Sequence, residues 1–409
     1  MDKNEIVQQD INVRTIIQKI RSALALEEEE LTDEFVRETI EAHILKDRRL
    51  IQRHPKDVEK LIDRIFFSMR RELDILQPYI EDEQVSEIMV NGKDHIFVEK
   101  NGMIQKAEIQ FDATEDLEEL IRRLAAGVRR EINELNPIVD ARLPDGSRVN
   151  AVYKNIALNG PILTIRKFPQ KAIDMPALIK MGSITKEAAD FLQSMVKAGY
   201  NCFISGGTSS GKTTFLNVLS NFIPHDERVI LIEDSAELQI KQIHNLVRLE
   251  CKQANVQQKG RVTMEDLIKT SLRMRPDRII VGEVRGKEVM DMIQAMNTGH
   301  DGSLSTGHGN SISGMLRRLE SMFLQAADFP IDAIRAQIAE GIDLIIHLGR
   351  LSDGSRKVLE IAEIDGVSQG EIQINMLFRY RPSKGLIRTT NHLIHTEKLE
   401  LRGIAAYGN

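Results

Sequence analysis

The sequence predicts an α/β protein in which a helical N-terminal region and a small α+β domain precede a larger domain of alternating strands and helices. Three observations predict this organisation. In the first 80 residues, apolar side chains recur at three- and four-residue steps, which is the spacing of a buried helix face. Short apolar runs separated by Asn-Gly pairs come next, and such pairs favour hairpin turns. From residue 185 onward, apolar runs alternate with helical periods, which is typical of a sheet covered by helices on both faces.

The composition excludes several classes of protein. Of the 409 residues, 42% are hydrophobic and 28% are charged, a globular mixture unlike that of collagen, a disordered chain or a membrane-spanning protein. A net charge of −6 and the lack of Trp argue against nucleic-acid binding, which uses clustered cations and stacking surfaces. Two cysteines, Cys202 and Cys251, are too few for a four-cysteine zinc site. We find no signal peptide and expect a cytoplasmic protein that reaches a membrane only through a partner.

The helical region is expected over residues 1–80 and the α+β domain over 81–167. The last N-terminal helix is predicted to bury a face that carries Val58, Leu61, Ile62, Ile65, Phe66, Met69, Leu73 and Leu76. The elements of the α+β domain are predicted, in order, as three short strands with Asn-Gly turns at 91–92 and 101–102, a helix over 114–132, and strands around 141–152 and 161–166.

A linker with a short helix near 176–181 is expected over 168–184, because Pro and Gly recur there. The larger domain, 185–365, opens on a helix that Thr185 caps and Gly199 ends. The remaining residues, 366–409, form a C-terminal tail without a functional interpretation. Strands of the larger domain are predicted at 200–205, 229–233, 246–250, 278–282, 304–306 and 342–348.

Residues 206–213, Gly-Gly-Thr-Ser-Ser-Gly-Lys-Thr, match the phosphate-binding pattern G-x-x-x-x-G-K-[ST], the P-loop. Its glycines let backbone N–H groups point at phosphate oxygens, and the helix that begins here adds a positive dipole end. Lys212 is predicted to bridge the β- and γ-phosphates and Thr213 to hold Mg²⁺. A Gly/Ser-rich surface turn is the alternative, but the pattern follows a predicted strand and opens a predicted helix. The predicted nucleotide-binding residues are Gly206, Gly207, Thr208, Ser209, Ser210, Gly211, Lys212, Thr213 and Thr214.

Two apolar runs end in carboxylates, at Glu233 and at Glu283. Ligands of an open α/β sheet lie at the carboxyl ends of its strands, where an acid can hold Mg²⁺ or orient the attacking water. The second run ends in Gly-Glu instead of the usual Walker B Asp. We therefore expect Glu283 to carry the acidic role, directly or through water at the metal, with Glu233 as the second candidate. A solvated acid that caps a strand is the alternative at both positions.

A Gly-rich stretch carries two histidines, His300 and His308. With no nearby cysteine they make a weak metal site. A histidine in such a loop could sense the γ-phosphate, although a structural histidine is the alternative.

Together, these segments resemble the type II/type IV secretion ATPase superfamily. The segment 206–213 looks like its Walker A box and the surroundings of Glu233 like its Asp box. Residues 274–286 look like its atypical Walker B box, which has the same Gly-Glu ending, and 296–310 like its His box. Segments 86–92 and 140–150 are similar to the N-terminal domain of its tight-adherence (Flp-type) pilus branch, and the resemblance covers 60–365.

The resemblance implies a RecA-like P-loop domain preceded by a smaller PAS-like domain, in a hexameric ring at the cytoplasmic face of the inner membrane. Mg-dependent ATP hydrolysis between the two domains would drive a membrane platform protein for pilus assembly or secretion. The resemblance also implies that Arg148 and Arg166 reach the nucleotide phosphates, with Arg142 a weaker candidate, and that His308 and Lys212 belong to the site. No direct nucleic-acid contact is expected.

Two other functions stay open at this point. A P-loop translocase acting on nucleic acid is opposed by the acidic net charge. A non-catalytic, nucleotide-gated scaffold is opposed by the presence of both Lys212 and Glu283, because a scaffold has no need of a water-orienting acid.

Overall fold

The computed structural model describes residues 13–25, 31–47, 50, 54–168, 173–252, 254, 259–382 and 384–405. The chain divides into two compact units, Met1–Gln170 and Lys171–Asn409. Among the described residues, no helix combines the length and the apolar character that crossing a membrane would require. Pro169, part of the predicted linker, lies outside the described residues.

In the described part of the first unit, three helices come first and enclose a small core of their own. Thr32 caps the second helix by accepting a hydrogen bond from the N–H of Phe35, and Pro55 opens the third. Their bounds are α1 Val13–Leu24, α2 Asp33–Lys46 and α3 Pro55–Arg70. Buried in their core are Val13, Ile20, Leu24, Val36, Ile40, Ile44, Leu50, Ile62, Ile65 and Phe66.

The apolar face predicted for the third helix belongs to two different cores. Ile62, Ile65 and Phe66 pack in the helical core, whereas Leu73 and Leu76 pack with the adjoining sheet. The helix ends at Arg70, and a 3-10 turn over Asp74–Leu76 followed by α4, Gln77–Glu81, redirects the chain. A single helix through Leu76 was therefore wrong, although its apolar spacing was real.

A six-stranded antiparallel sheet forms the rest of the first unit, in the order β3-β2-β1-β6-β5-β4. Helix α5 packs its apolar face on this sheet. The helix ends at Gly127 instead of 132, and the region predicted around 141–152 contains two strands joined by a turn. The elements are β1 Val85–Asn91, β2 Ile96–Lys100, β3 Met103–Lys106, α5 Thr114–Gly127, β4 Ile138–Arg142, β5 Arg148–Val152 and β6 Ile162–Arg166.

The second unit is built on a nine-stranded sheet in the order β15-β14-β13-β12-β7-β11-β10-β8-β9. Its elements begin with α6 Met175–Lys180, α7 Lys186–Ala198, β7 Cys202–Gly206, α8 Lys212–Ser220, β8 Arg228–Glu233, β9 Asn245–Glu250, α9 Met264–Ser271 and β10 Arg278–Val284. They continue with α10 Glu288–Asn297, β11 Leu304–His308, α11 Ile312–Ala326, α12 Ile331–Gly341, β12 Leu344–Arg350, β13 Arg356–Ser368, β14 Glu371–Arg381, β15 Gly385–Arg388 and α13 Glu397–Leu401.

Successive side chains of the central strands enter two separate cores. On β8, Val229 and Leu231 pack with α7 and α8, whereas Ile230 and Ile232 pack with α10, α11 and α12. The six strands from β12 to β9 run parallel, and β13 to β15 add an antiparallel meander. The predicted sheet with helices on both faces is therefore confirmed for this unit.

Each predicted strand and the first helix of the second unit are present. Thr185 caps α7 by accepting from the N–H of Ala188, and Gly199 ends it with a φ of 91°, where glycine is favoured. The predicted boundary at residue 365 falls inside β13. Residues beyond it extend the sheet, and the buried carboxylate of Glu363 accepts from the N–H groups of Ile394 and His395.

Candidate nucleotide-binding site

The P-loop connects the buried end of β7 to the first residue of α8. Ser209 and Gly211 take the left-handed conformation, with φ values of 58° and 95°. A Cβ atom at Gly206 would lie 2.5 Å from the Ser210 hydroxyl oxygen and 2.7 Å from the carbonyl oxygen of Leu348. The loop therefore closes tightly at its base and requires glycine there, while Thr208 and Ser209 are exposed at its tip.

Lys212 lies folded back over the loop that it follows. Its ammonium group donates to the carbonyl oxygen of Gly207 at 3.0 Å and lies 3.2 Å from Nδ1 of His308. The side chain is buried, and this burial lowers its pKa, while the nearby carboxylate of Glu283 acts in the opposite direction. A cation is thereby held at the mouth of the loop.

The carboxyl ends of β7, β11, β10 and β8 meet at one edge of the sheet because these strands are parallel neighbours. His308, the last residue of β11, pairs with Gly206 across the ladder. Its Nε2 lies 2.8 Å from an oxygen of Glu283, at the end of β10. Burial lowers the pKa of His308, and the Glu283 carboxylate opposes that shift. The structure thus brings together Lys212, His308 and Glu283, which are far apart in the sequence.

Arg285 holds the other oxygen of Glu283. Its Nε and Nη2 donate to Glu283 Oε2 at 2.9 and 2.7 Å. The sequence patterns did not indicate this arginine. A signal was present, because Arg285 directly follows β10 and residues two apart in extended backbone point to the same side. Glu283 therefore lies between an imidazole and a guanidinium, hydrogen-bonded through Oε2 to Arg285, while its Oε1 has no hydrogen-bond partner among the described residues.

Glu233 has a different environment from Glu283. One of its oxygens accepts from the N–H groups of Glu237 and Leu238 at 2.7 and 2.9 Å, and the other lies 3.7 Å from Arg248. Burial raises its pKa. The side chain borders β10, since a Cβ atom at Gly282 would lie 3.3 Å from its Cγ. These contacts organise the loop after β8, and a catalytic role for Glu233 stays a prediction.

The first turn of α8 supplies the remaining predicted residues. Thr213 and Thr214 are half-buried there, whereas Ser210 is buried and its hydroxyl has no hydrogen-bond partner within the described part of the chain. Arg356, from β13, donates through Nε to the carbonyl oxygen of Ser209 at 2.9 Å. This second contact was also missed, since 147 residues separate the two positions.

The predicted arginines belong to the first unit, where they form a row across three strands. Arg142 pairs with Arg148, and Arg148 pairs with Arg166 in the ladder, so their side chains share one face. The next partner of Arg166 is Glu87. Like charges directly opposite one another destabilise a sheet, so this row is better suited to an anionic ligand than to stability. Contact of Arg148 and Arg166 with phosphate stays a prediction.

A family model described as type II/IV secretion system protein matches residues 70–383. The chain belongs to this family. A putative conjugal transfer protein of Mycobacterium tuberculosis is 33% identical to this family member over 73% of the chain and 86% of its own length. The probable conjugal transfer protein TrbB of Sinorhizobium fredii is 31% identical over 79% of the chain and 94% of its own length. An uncharacterized protein of Methanocaldococcus jannaschii is 43% identical, but over only 59% of the chain and 34% of that relative.

Solved structures with a similar fold include the Legionella pneumophila ATPase DotB, with a TM-score of 0.51, 22% identity, and coverage of 69% of this chain and 78% of that one. The pilus retraction motor PilT with bound ADP has a TM-score of 0.52, 20% identity, and coverage of 74% and 82%. The expected secretion-ATPase fold is thereby confirmed. The tight-adherence branch and the PAS-like character of the smaller domain stay predictions.

Proposed function

We propose that this chain is an ATP hydrolase that powers a type II/IV secretion or pilus-assembly machine. The observation that supports it most is the line of contacts from Lys212 through His308 to Glu283, behind the P-loop. A phosphate-binding loop, a cation and a positioned acid at the edge of one parallel sheet are the parts that phosphoryl transfer to water requires.

Lys212 is placed to exchange its present contacts for phosphate oxygens. An ammonium group has three donors, and the Gly207 carbonyl and the His308 imidazole are neutral partners that β- and γ-phosphate oxygens can replace. Once Lys212 no longer contacts His308, the imidazole would be free to contact the γ-phosphate while it also contacts Glu283. Glu283, hydrogen-bonded to Arg285 and in contact with His308, would orient the attacking water.

Magnesium suits the available donors. The hydroxyl of Thr213 and an oxygen of Glu283 are hard ligands, and the described residues contain no group of three or more His, Cys, Asp or Glu that could enclose a metal. Mg²⁺ typically takes one or two protein oxygens and completes its shell with phosphate and water. When bound, it would neutralise charge on the β- and γ-phosphates.

The wider assembly is also part of this proposal. The protein would act as a homo-oligomer, a hexameric ring of the tight-adherence type, at the cytoplasmic face of the inner membrane and on a platform protein there. Each subunit would have a helical region 1–80, an α+β domain 81–167, a linker 168–184 and an ATPase domain that begins at 185. Residues 366–409 would extend the sheet of that ATPase domain. Arg148 and Arg166 would reach the phosphates from the α+β domain.

A nucleic-acid translocase is the second candidate, because two relatives carry the name conjugal transfer protein. The net charge of −6 opposes it, since phosphate contacts need clustered cations. Stimulation of ATP turnover by DNA would separate the two functions.

The proposal is tested by Mg-ATP turnover and by thermal stabilisation of the full chain with Mg-ATP. We expect both in the wild type and neither in Lys212→Ala, with Lys241→Ala as a control for loss of an exposed lysine. Equal turnover by wild type and Lys212→Ala would overturn the proposed site.

A further inference from the structure

A cavity of about 700 Å³ lies in the second unit, at the end of α8 that points away from the P-loop. It is lined by the start of α6, one face of α7, the end of α8 with the turn after it, the loop before β9 and the segment after α13. Val218 of α8 lines it six residues after Lys212, about 9 Å along the helix axis. None of the residues assigned above to phosphate, metal or water belongs to its described lining, so this is a separate cavity.

The floor of the cavity is apolar. Met175, Val218 and Ile223 are buried there, and Phe222 and Ile404 are half-buried. None of the exposed large apolar side chains of the described residues belongs to this lining, so its apolar surface faces into the cavity instead of forming a flat outer face. Pockets for small molecules are mostly apolar and have volumes of about 300–1,000 Å³, whereas a protein partner needs a broad surface of about 800 Å² on each side. The cavity therefore suits a small molecule.

Two polar groups of the rim are available to a ligand. Lys197 is exposed on α7, on the same face as Gln193 one turn earlier. Its ammonium group has no hydrogen-bond or ion-pair partner within the described part of the chain. His225 donates through Nδ1 to the carbonyl oxygen of Gln242 at 2.6 Å, which leaves Nε2 without a hydrogen-bond partner among the described residues. Both groups can therefore contact a molecule in the cavity.

Arg402 brings a positive charge that its neighbours do not fully balance. Its Nη2 lies 3.4 Å from Oε1 of Glu227, and the same carboxylate pairs with the buried guanidinium of Arg278. One carboxylate thus faces two guanidinium groups. Asp174 is the acid of the described lining, and its Oδ1 already caps the first turn of α6. Together with Lys197, the rim carries more positive than negative charge, which favours an anionic ligand.

We propose that this cavity binds a small amphiphilic acid, which is a molecule with an apolar body and a carboxylate or phosphate group. The apolar body lies against Val218 and Ile223, and the acid group contacts Lys197 and Arg402. Ammonium and guanidinium groups are the usual partners of carboxylates and phosphates. The inference goes beyond the proposed function and does not depend on it, because it uses neither the P-loop nor Glu283.

The test uses two fluorescent probes with the same apolar rings, the anionic 1-anilinonaphthalene-8-sulfonate and the neutral N-phenyl-1-naphthylamine. Their emission rises when the rings leave water, so titration of the full chain gives an affinity for each probe. We expect both probes to bind to the wild type. Lys197→Gln should weaken binding of the sulfonate about fivefold, the size of an exposed ion pair, and leave binding of the neutral probe unchanged. Lys197→Arg should keep the wild-type affinity, and Lys60→Gln, at an exposed lysine of α3, is the matched control.

A second variant tests the apolar part of the cavity. Gln193→Trp places a large side chain at a half-buried position of the lining and should abolish binding of both probes. Gln294→Trp, at an exposed position of α10, is its control. Displacement of the sulfonate by decanoate alone would assign the site to a soluble acid, whereas displacement by phosphatidylglycerol vesicles would assign it to a lipid. Either result supports the proposal.

The inference is overturned if the wild type binds neither probe, if Lys197→Gln weakens both probes equally, or if neither decanoate nor vesicles displace the sulfonate. Displacement of the probes by Mg-ATP would overturn it too, because it would place them at the P-loop. Binding only to a chain that ends at residue 405 would show that residues 406–409, which lie outside the described residues, fill the cavity themselves, and this result also contradicts the inference. An absence of ATP turnover would overturn the proposed function alone.

Discussion

The amino end of β10 is anchored by Arg278, and replacing this arginine by Met should destabilise the second unit. Arg278 is only 1% exposed. Its guanidinium bonds to both oxygens of Glu227, the Nη2–Oε1 distance being 3.1 Å, and donates to the carbonyl oxygen of Val196 at 2.5 Å. It therefore ties β10 to the segment before β8 and to the end of α7. Because β10 carries Glu283 at its other end, the anchor also fixes the strand that positions the proposed acid.

The size of the effect follows from what the substitution leaves behind. Removing one partner of a buried ion pair costs about 3–5 kcal/mol, because the remaining charge stays buried without compensation. Arg402 lies 3.4 Å from the same Glu227 carboxylate and is half exposed, so it can take over part of the pairing. We therefore expect Arg278→Met to lower the free energy of unfolding by about 3 kcal/mol, near the lower limit of that range. For a unit of this size, this loss corresponds to a fall of about 6–12 °C in Tm.

Differential scanning calorimetry of the full chain measures this effect. The transition of the second unit is recognised because Mg-ATP should raise its temperature, as a ligand stabilises the unit that binds it. Arg278→Met/Glu227→Met should be more stable than Arg278→Met, since it removes the stranded charge. Arg317→Met, at an exposed position of α11, is the control and should change stability by less than about 0.5 kcal/mol. A loss below about 1 kcal/mol in Arg278→Met would show that this buried ion pair does not anchor β10.

Three further predictions concern the proposed chemistry. Arg148→Ala and Arg166→Ala should each lower turnover at saturating ATP, by up to about 10³-fold, whereas two unchanged variants would contradict the arginine assignment. The Tm of Glu233→Gln should equal or exceed that of the wild type near pH 7.5. Burial raises the pKa of Glu233, so the ionised carboxylate is unfavourable in the folded protein and Gln removes that charge. The difference in Tm should shrink as the pH falls toward about 5 and Glu233 of the wild type takes up a proton. Burial lowers the pKa of His308 below its ordinary 6.5, so the midpoint of a loss of turnover caused by its protonation should lie below that pH, and a midpoint above about pH 7 would contradict this.

Local patterns in the sequence predicted the parts of the fold that depend on neighbouring residues. The strand–loop–helix at 206–213, the cap at Thr185 and the stop at Gly199 are all short-range features, and each is present. The acids at the ends of apolar runs could be placed at one edge of the sheet because parallel strands share an edge. At these positions a rule of chain geometry links residues that are close in sequence.

The missed features depend on contacts between distant parts of the chain. The apolar period continued from Ile65 to Leu76, but a period along one chain does not reveal that these residues face two different cores. The hydrogen bond from Arg356 to the loop at Ser209 required the register of β13, which the sequence does not specify. The place of residues 366–409 was missed for the same reason, since β14 and β15 are defined by pairing with β13.

We infer that Glu283 supports ATP hydrolysis in a secretion motor. The measurement that tests it most directly is Mg-ATP turnover by the wild type and Glu283→Gln, each with and without DNA, with Glu340→Gln as a control at an exposed acid on α12. We predict that Glu283→Gln binds ATP like the wild type and turns it over about 10²–10⁴-fold more slowly, with no effect of DNA on any variant. Equal turnover by Glu283→Gln would contradict the role of this acid, and turnover raised many-fold by DNA would contradict the secretion motor.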